Sequence, residues 1–176
     1  MGFDKEYVTA TTIDGQEAVV ACRDLIRATH CYAIVIRDGK ILISPQWEDN
    51  GFVFPGGTVE LGEDHMLGVV REVREETGYE IKLRNVVGVY TSIFMNFKKY
   101  RAQHSLLVYY SADVVKGRLS TDGFDEHEAH YMKKARWVTL EELKSMRFMC
   151  NTQEPIKGLM KYLERKVKAS NCKVCP

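Results

Sequence analysis

Residues 57–79 read GTVELGEDHMLGVVREVREETGY, and the fold turns on how this stretch is read. Glu63 to Thr77 has a helical pattern, and Gly78 stops it as a left-handed C-terminal glycine does. Take Val73 as zero and advance about 100° per residue. Met66, Val69, Val70, Val73 and Thr77 then fall within about 100° of arc, a stripe that should face the core. Glu72, Glu75 and Glu76 occupy a second arc, also about 100° wide and centred about 120° away. Three like charges so placed weaken a helix. A hard divalent cation removes that penalty, because Mg²⁺ takes carboxylate oxygens and keeps waters for substrate phosphates. The competing reading is a solvated acidic face neutralised by Arg71 and Arg74.

The preceding loop favours the cation. Pro55-Gly56-Gly57 is a rigid turn followed by two residues without Cβ, so backbone can approach an ion or phosphate closely.

The spacing resembles the signature of the Nudix hydrolase family. That signature is Gly, five residues, Glu, seven residues, Arg-Glu, an aliphatic residue, any residue, Glu-Glu, any residue, Gly and an aliphatic residue. Gly57, Glu63, Arg71, Glu72, Val73, Glu75, Glu76 and Gly78 meet it, and Tyr79 departs from it at a packing position. Seven identities at fixed spacing arise by chance on the order of 10⁻⁸ per window at ordinary composition. The aromatic-Pro-Gly-Gly lead-in, Arg136-Trp137 followed by Leu-Glu-Glu-Leu, and a terminal helix extend the likeness from Thr29 to Lys168.

The resemblance implies an α/β/α sandwich with a mixed sheet, and Mg²⁺-dependent hydrolysis of a pyrophosphate, with Mn²⁺ as a substitute metal. It implies metal ligation by Glu72, Glu75, Glu76 and the Gly56 carbonyl, with Arg71 orienting carboxylates and Glu63 supporting the loop-helix geometry. The general base of many members lies in a later loop. This chain offers Asp125, Glu126 and Glu128 there, and Glu126 is preferred, then Glu128.

The substrate is less legible. Members acting on ADP-ribose often carry a Pro about fifteen residues past the signature, where this chain has Phe94, and the Tyr of dinucleoside polyphosphate members is also missing. Trp47, Phe94, Phe97 and Tyr100 could stack on a base, and Lys98, Lys99 and Arg101 could meet phosphates. Each could equally be core packing or a solvated hairpin tip. A nucleoside triphosphate, damaged or not, is the first expectation. The alternatives are a nucleotide sugar or dinucleotide, and more remotely a regulator that binds a nucleotide without cleaving it.

Outward from this centre, Cys31 to Arg37 and Lys40 to Ser44 flank Asp38-Gly39, a strong hairpin signal. Phe52 to Phe54 reads as a short strand, and Val86 to Phe94 and Ser105 to Val115 as longer ones. Ala135 to Val138 is another strand. Thr139 caps a short helix to Met146, with Glu142 completing a capping box. Pro155 opens a terminal helix with Ile156, Leu159, Met160, Leu163 and Val167 on one face. Strands and helices interleave without a strict βαβ rhythm, which by itself points to a mixed sheet with flanking helices. The expected division is an extension at 1–28, where Tyr7 to Thr12 and Glu17 to Cys22 could pair as a hairpin, a domain at 29–168, and a tail at 169–176.

The chain has 176 residues, 45% hydrophobic and 28% charged, with a formal net charge of +1. That balance gives no reason to expect a nucleic-acid or membrane surface, so an anionic ligand must be held by local charge. No stretch reads as a membrane span or signal, and myristoylation and prenylation patterns are not met, so a cytoplasmic protein is expected. Five cysteines, Cys22, Cys31, Cys150, Cys172 and Cys175, point to reduced thiols. Cys172 and Cys175 lack the second pair that a structural zinc site needs. The oligomeric state stays open, with a homodimer compatible.

Overall fold

The computed structural model describes residues 6–12, 16–45, 51–96, 101–124, 133–149 and 153–171. Two strands at its centre, β3 (Ile26–Arg37) and β4 (Lys40–Pro45), meet at the Asp38-Gly39 turn. Asp38 at φ 51° and Gly39 at φ 70° supply the paired positive φ of a tight hairpin, which sets Ile36 opposite Ile41 and Arg37 opposite Lys40. The remaining elements are β1 (Tyr7–Thr11), β2 (Glu17–Ala21), β5 (Gly51–Val53), β6 (Gly56–Thr58), α1 (His65–Thr77), β7 (Tyr79–Asn96), β8 (Arg101–Gly117), β9 (Arg136–Val138), α2 (Leu140–Ser145), β10 (Arg147–Phe148) and α3 (Gln153–Asn171).

The strands form one sheet in the order β10-β5-β4-β3-β8-β7-β1-β2, with β6 pairing β3 and β9 pairing β4. It is mixed: β3 runs parallel to β8 from Ile26↔Gln103 to Val35↔Ala112, whereas β7 and β8 are antiparallel. Because side chains alternate along a strand, β3 feeds both faces. Cys31, Ala33 and Val35 pack with Val69 and Val73 of α1. Ile34 packs with Leu143 of α2 and Leu159, Leu163 and Val167 of α3. Burying each such Leu contributes about 1.5–3 kcal/mol, so α1 is held on one face and α2 with α3 on the other. The expected sandwich with a mixed sheet is what forms. The first strands pair as a hairpin, Tyr7↔Ala21 to Thr11↔Glu17, and join the sheet where Thr11 meets Phe94.

Several boundaries differ from the sequence pattern. β7 and β8 extend well past Val86–Phe94 and Ser105–Val115, because paired strands satisfy each other's backbone even where the alternation is lost. Register irregularities at Glu80/Ile81, Leu83/Val86 and Val86/Gly88 are what erase that alternation. α1 begins at His65 rather than Glu63, since the Asp64 carboxylate caps it by accepting from the Met66 and Leu67 amides. Met66, expected in the core stripe, is 47% exposed. Side chains tilt toward a helix N-terminus, so a first-turn residue reaches past the end of the packed face. α3 starts two residues before Pro155, which a first turn tolerates. Among the described residues no helix is long and apolar enough to cross a membrane.

Tyr79 is the packing position its place in the motif implied. Its phenol oxygen accepts from Arg37 Nη2 at 3.2 Å and Trp137 Nε1 at 3.3 Å. The Arg37 guanidinium lies over both rings, 4.5 Å from the Trp137 centroid.

Candidate active site

On α1 the three glutamates stand at about 60° (Glu76), 100° (Glu72) and 160° (Glu75) from Val73, a fully buried position. Their exposure follows that order. Glu76 is 4% exposed, and the Glu72 and Glu75 side chains are 15% and 42% exposed. The acidic arc is therefore graded from core to solvent.

A buried carboxylate needs donors. Glu76 Oε2 accepts from Ser44 Oγ and from the Gly56 amide, each at 3.0 Å. These bonds tie α1 to the end of β4 and to the glycine loop. Gly56 has φ 135°, a conformation that favours glycine. Next along, a Cβ on Gly57 would stand 2.6 Å from Glu72 Oε2, so the loop lies directly against that carboxylate. The C-terminal half of α1 is close-fitted too: a Cβ on Gly123 would stand 2.7 Å from the Glu75 Cα.

Arg71 gathers the remaining charge. It donates to both oxygens of Glu63, from Nε at 2.9 Å and from Nη2 at 3.0 Å. Its Nη1 lies 2.9 Å from Glu72 Oε1 and 2.9 Å from Glu75 Oε2. The hydrogen bonds to Glu63 chiefly, then the charge of Glu72 and the hydrogen bonds to Glu72 and Glu75, raise the Arg71 pKa further. In return Arg71 and the Glu60 amide hold the Glu63 carboxyl down at about 2, from an ordinary 4.5. A depressed folded pKa gives stability that is present above 4.5 and lost as pH falls toward 2. Urea denaturation across that window should show wild-type stability declining on acidification, and Glu63→Gln should flatten the decline. A decline equally steep in the variant would remove Glu63 as its source.

Among the described residues, no three His, Cys, Asp or Glu side chains stand ready-made around a single point as metal ligands. Arg71 gives the physical reason, because one guanidinium bridges Glu72, Glu75 and Glu63. The donor set nevertheless suits a hard divalent cation: carboxylate oxygens on adjacent turns beside close backbone.

Of the substrate-facing candidates, Phe94 lines a cavity on the sheet face opposite α1, and Arg101 is exposed at the start of β8. Trp47, Phe97, Lys98, Lys99, Tyr100, Asp125, Glu126 and Glu128 lie outside the described residues, as do Cys150, Cys172 and Cys175. Sequence reading missed Ser44, whose only signal was a hydroxyl closing the apolar run Ile41–Ile43. It also missed Gly123, which carries no local signal because its partner is 48 residues away on α1.

Comparison with known proteins agrees with this geometry. The chain is 35% identical over 101 residues to an ADP-ribose pyrophosphatase of Methanocaldococcus jannaschii, covering 56% of this chain and 57% of that protein. It is 34% identical over 98 residues to a Bacillus subtilis protein provisionally named an 8-oxo-dGTP diphosphatase, covering 54% and 56%. The chain thus spans little more than half the length of these curated relatives. A solved NUDIX hydrolase from Nitrosomonas europaea shares the fold, with a TM-score of 0.60 at 21% identity over 78% of this chain and 88% of that one. The family description "NUDIX domain" matches residues 26–157, a span that runs from β3 into α3 and contains Glu63, Glu72, Glu75 and Glu76. By that match the chain belongs to the NUDIX domain family.

Proposed function

We propose that the protein is a Mg²⁺-dependent pyrophosphohydrolase, and that it cleaves a nucleoside triphosphate to a nucleoside monophosphate and pyrophosphate. The observation that carries the reading is the junction of the acidic helix with the glycine loop through Glu76 and the Gly56 amide. It ties the carboxylate-bearing face of α1 to a loop of two residues that have no side chain, Gly56 and Gly57.

In this reading Glu72, Glu75 and Glu76, with the Gly56 carbonyl, hold the cation, for which Mn²⁺ can substitute. A hard divalent cation there supplies neutralisation of the pyrophosphate oxygens. Ser44 and the Gly56 amide fix Glu76, whereas a cation would have to draw Glu72 and Glu75 away from the Arg71 guanidinium. Gly57 lets a phosphate approach the main chain beside Glu72. A general base, assigned to Glu126 and secondarily to Glu128, takes the proton of the attacking water as its oxygen bonds to phosphorus. The bridging P–O bond breaks, and its electron pair leaves with the pyrophosphate.

The name of the B. subtilis relative supports the triphosphate. That of the M. jannaschii relative favours a second reading, a diphosphate linking a nucleoside to a sugar or another nucleoside. Incubation with Mg²⁺ and a panel of triphosphates, nucleotide sugars, dinucleotides and monophosphates, followed by product separation, decides between them. Pyrophosphate from triphosphates is the expected result, abolished by excess chelator. Two monophosphates from linked diphosphates alone would establish the second reading. Inorganic phosphate released only from monophosphates, or full activity in chelator, would overturn both.

A further inference from the structure

The sheet ends differently at its two edges. At one end β10 is only Arg147–Phe148, a two-residue strand with an exposed arginine, which blunts that edge against further pairing. At the other end β2 reads EAVVA and carries no Pro, no Lys and no bulge against β1. Among the described residues no strand lies on its outer side.

The pairing with β1 fixes which groups of β2 face outward. Thr9 stands opposite Val19. One residue beyond each end of the ladder, the Thr12 amide donates to the Gln16 carbonyl and the Cys22 amide to the Glu6 carbonyl, both at 2.8 Å. Bonded and non-bonded pairs alternate along an antiparallel ladder. Ala18 and Val20 therefore bond to β1, whereas Glu17, Val19 and Ala21 turn their N–H and C=O groups outward. Such a row is a template for another strand. The face above it is apolar too, with Val19 74% exposed and Tyr7, opposite Ala21, 56% exposed.

We propose that β2 pairs antiparallel with β2 of a second copy of this chain, joining two sheets edge to edge about a two-fold axis at Val19. The outward set is its own complement. With Val19 opposite Val19, Glu17 falls opposite Ala21, and every outward N–H meets an outward C=O. A slip by one residue would set outward groups against inward ones. Charge matches in the same register. Arg23, its side chain 84% exposed, lies two residues past Ala21, within diagonal reach of the exposed Glu17 of the other copy at roughly 7–8 Å. The two-fold repeats that pair at the other end. The axis also brings the two Val19 side chains together and removes both from water.

The test uses the whole chain, without metal or nucleotide. Light scattering reads the mass in solution, and NMR reads amide exchange at the same concentration. The wild type should have twice the mass of one chain, with the Glu17, Val19 and Ala21 amides protected. Val19→Lys sets like charges opposite each other on the axis, so it should be a single chain in which those amides exchange freely. The Ala18 and Val20 amides, bonded to β1, should stay protected in both, which shows the hairpin intact. Val19→Pro removes an outward donor that β1 does not use and should also give single chains. Oxidised Val19→Cys should form more disulfide-linked dimer than the wild type, because the Cα atoms facing across the axis lie about 5.5 Å apart. A wild type of single-chain mass, a dimer that persists in Val19→Lys and Val19→Pro, or free exchange of the outward amides in a wild-type dimer would each overturn the proposal. If Ala18 and Val20 lose protection in both variants, the crosslink decides alone, and no excess of linked dimer would refute the pairing.

Discussion

Replacing Glu76 by Gln should lower turnover by at least about 10²-fold while leaving the protein folded. Residues that merely support a metal ligand typically cost 10–100-fold when lost, and Glu76 is assigned as a ligand itself. Its carboxylate is also the joint between helix and loop, accepting from Ser44 and the Gly56 amide. Gln keeps the size, and because both donors meet the same oxygen, Oε2, its carbonyl can go on accepting from them while the amide takes the place of Oε1. The stability cost should therefore stay at about 1–3 kcal/mol. Circular dichroism establishes the fold and a Mg²⁺ titration of turnover establishes the effect. Near-wild-type turnover at saturating Mg²⁺ in the folded variant would sink the metal role of this residue.

Gly56→Ala should be strongly destabilising for a single added methyl. The added Cβ would overlap the Cys31 carbonyl oxygen and stand 2.8 Å from the Tyr32 Cα, at φ 135°. Both obstacles are backbone in the central strand, so neither can swing aside. A loss of about 3 kcal/mol or more is expected, a fall in Tm of roughly 6–12 °C for a chain of this size. Gly62→Ala is the matched control, with φ 86° but nothing within 4 Å of the new carbon. It should cost only about 1–2 kcal/mol, the strain of a left-handed backbone. Thermal melts of the two variants side by side separate steric overlap from strain, and equal shifts would refute the overlap.

The elements that the sequence foretold well are those whose signals are local. Asp38-Gly39 fixes a hairpin within four residues, and Thr139 with Glu142 forms the expected capping box. The α1 pattern placed Val69, Val73 and Thr77 in the core, where they are. Contacts distant in sequence were harder to read. Nothing near Ser44 announces a carboxylate 32 residues on, and nothing near Gly123 announces the backbone of Glu75. The burial of Glu76 could have been read from its angle beside Val73, but charge alone argued for solvent. The cavity was invisible because β3, β7 and β8 each contribute only alternate residues to it, joined by residues from β5 and β10 far apart in sequence.

The Arg37 contact gives this molecule a built-in optical reporter. Trp137 is one of two tryptophans, half-buried, with a guanidinium 4.5 Å above its ring and its indole N–H bound to Tyr79. Tyr79 directly follows the glycine that ends α1, so the indole senses whether that end of the helix is docked. In a Trp47→Phe background its emission comes from this one place. Loosening of the helix then registers as a change of colour and intensity, and the light can be followed in a protein that turns over nothing.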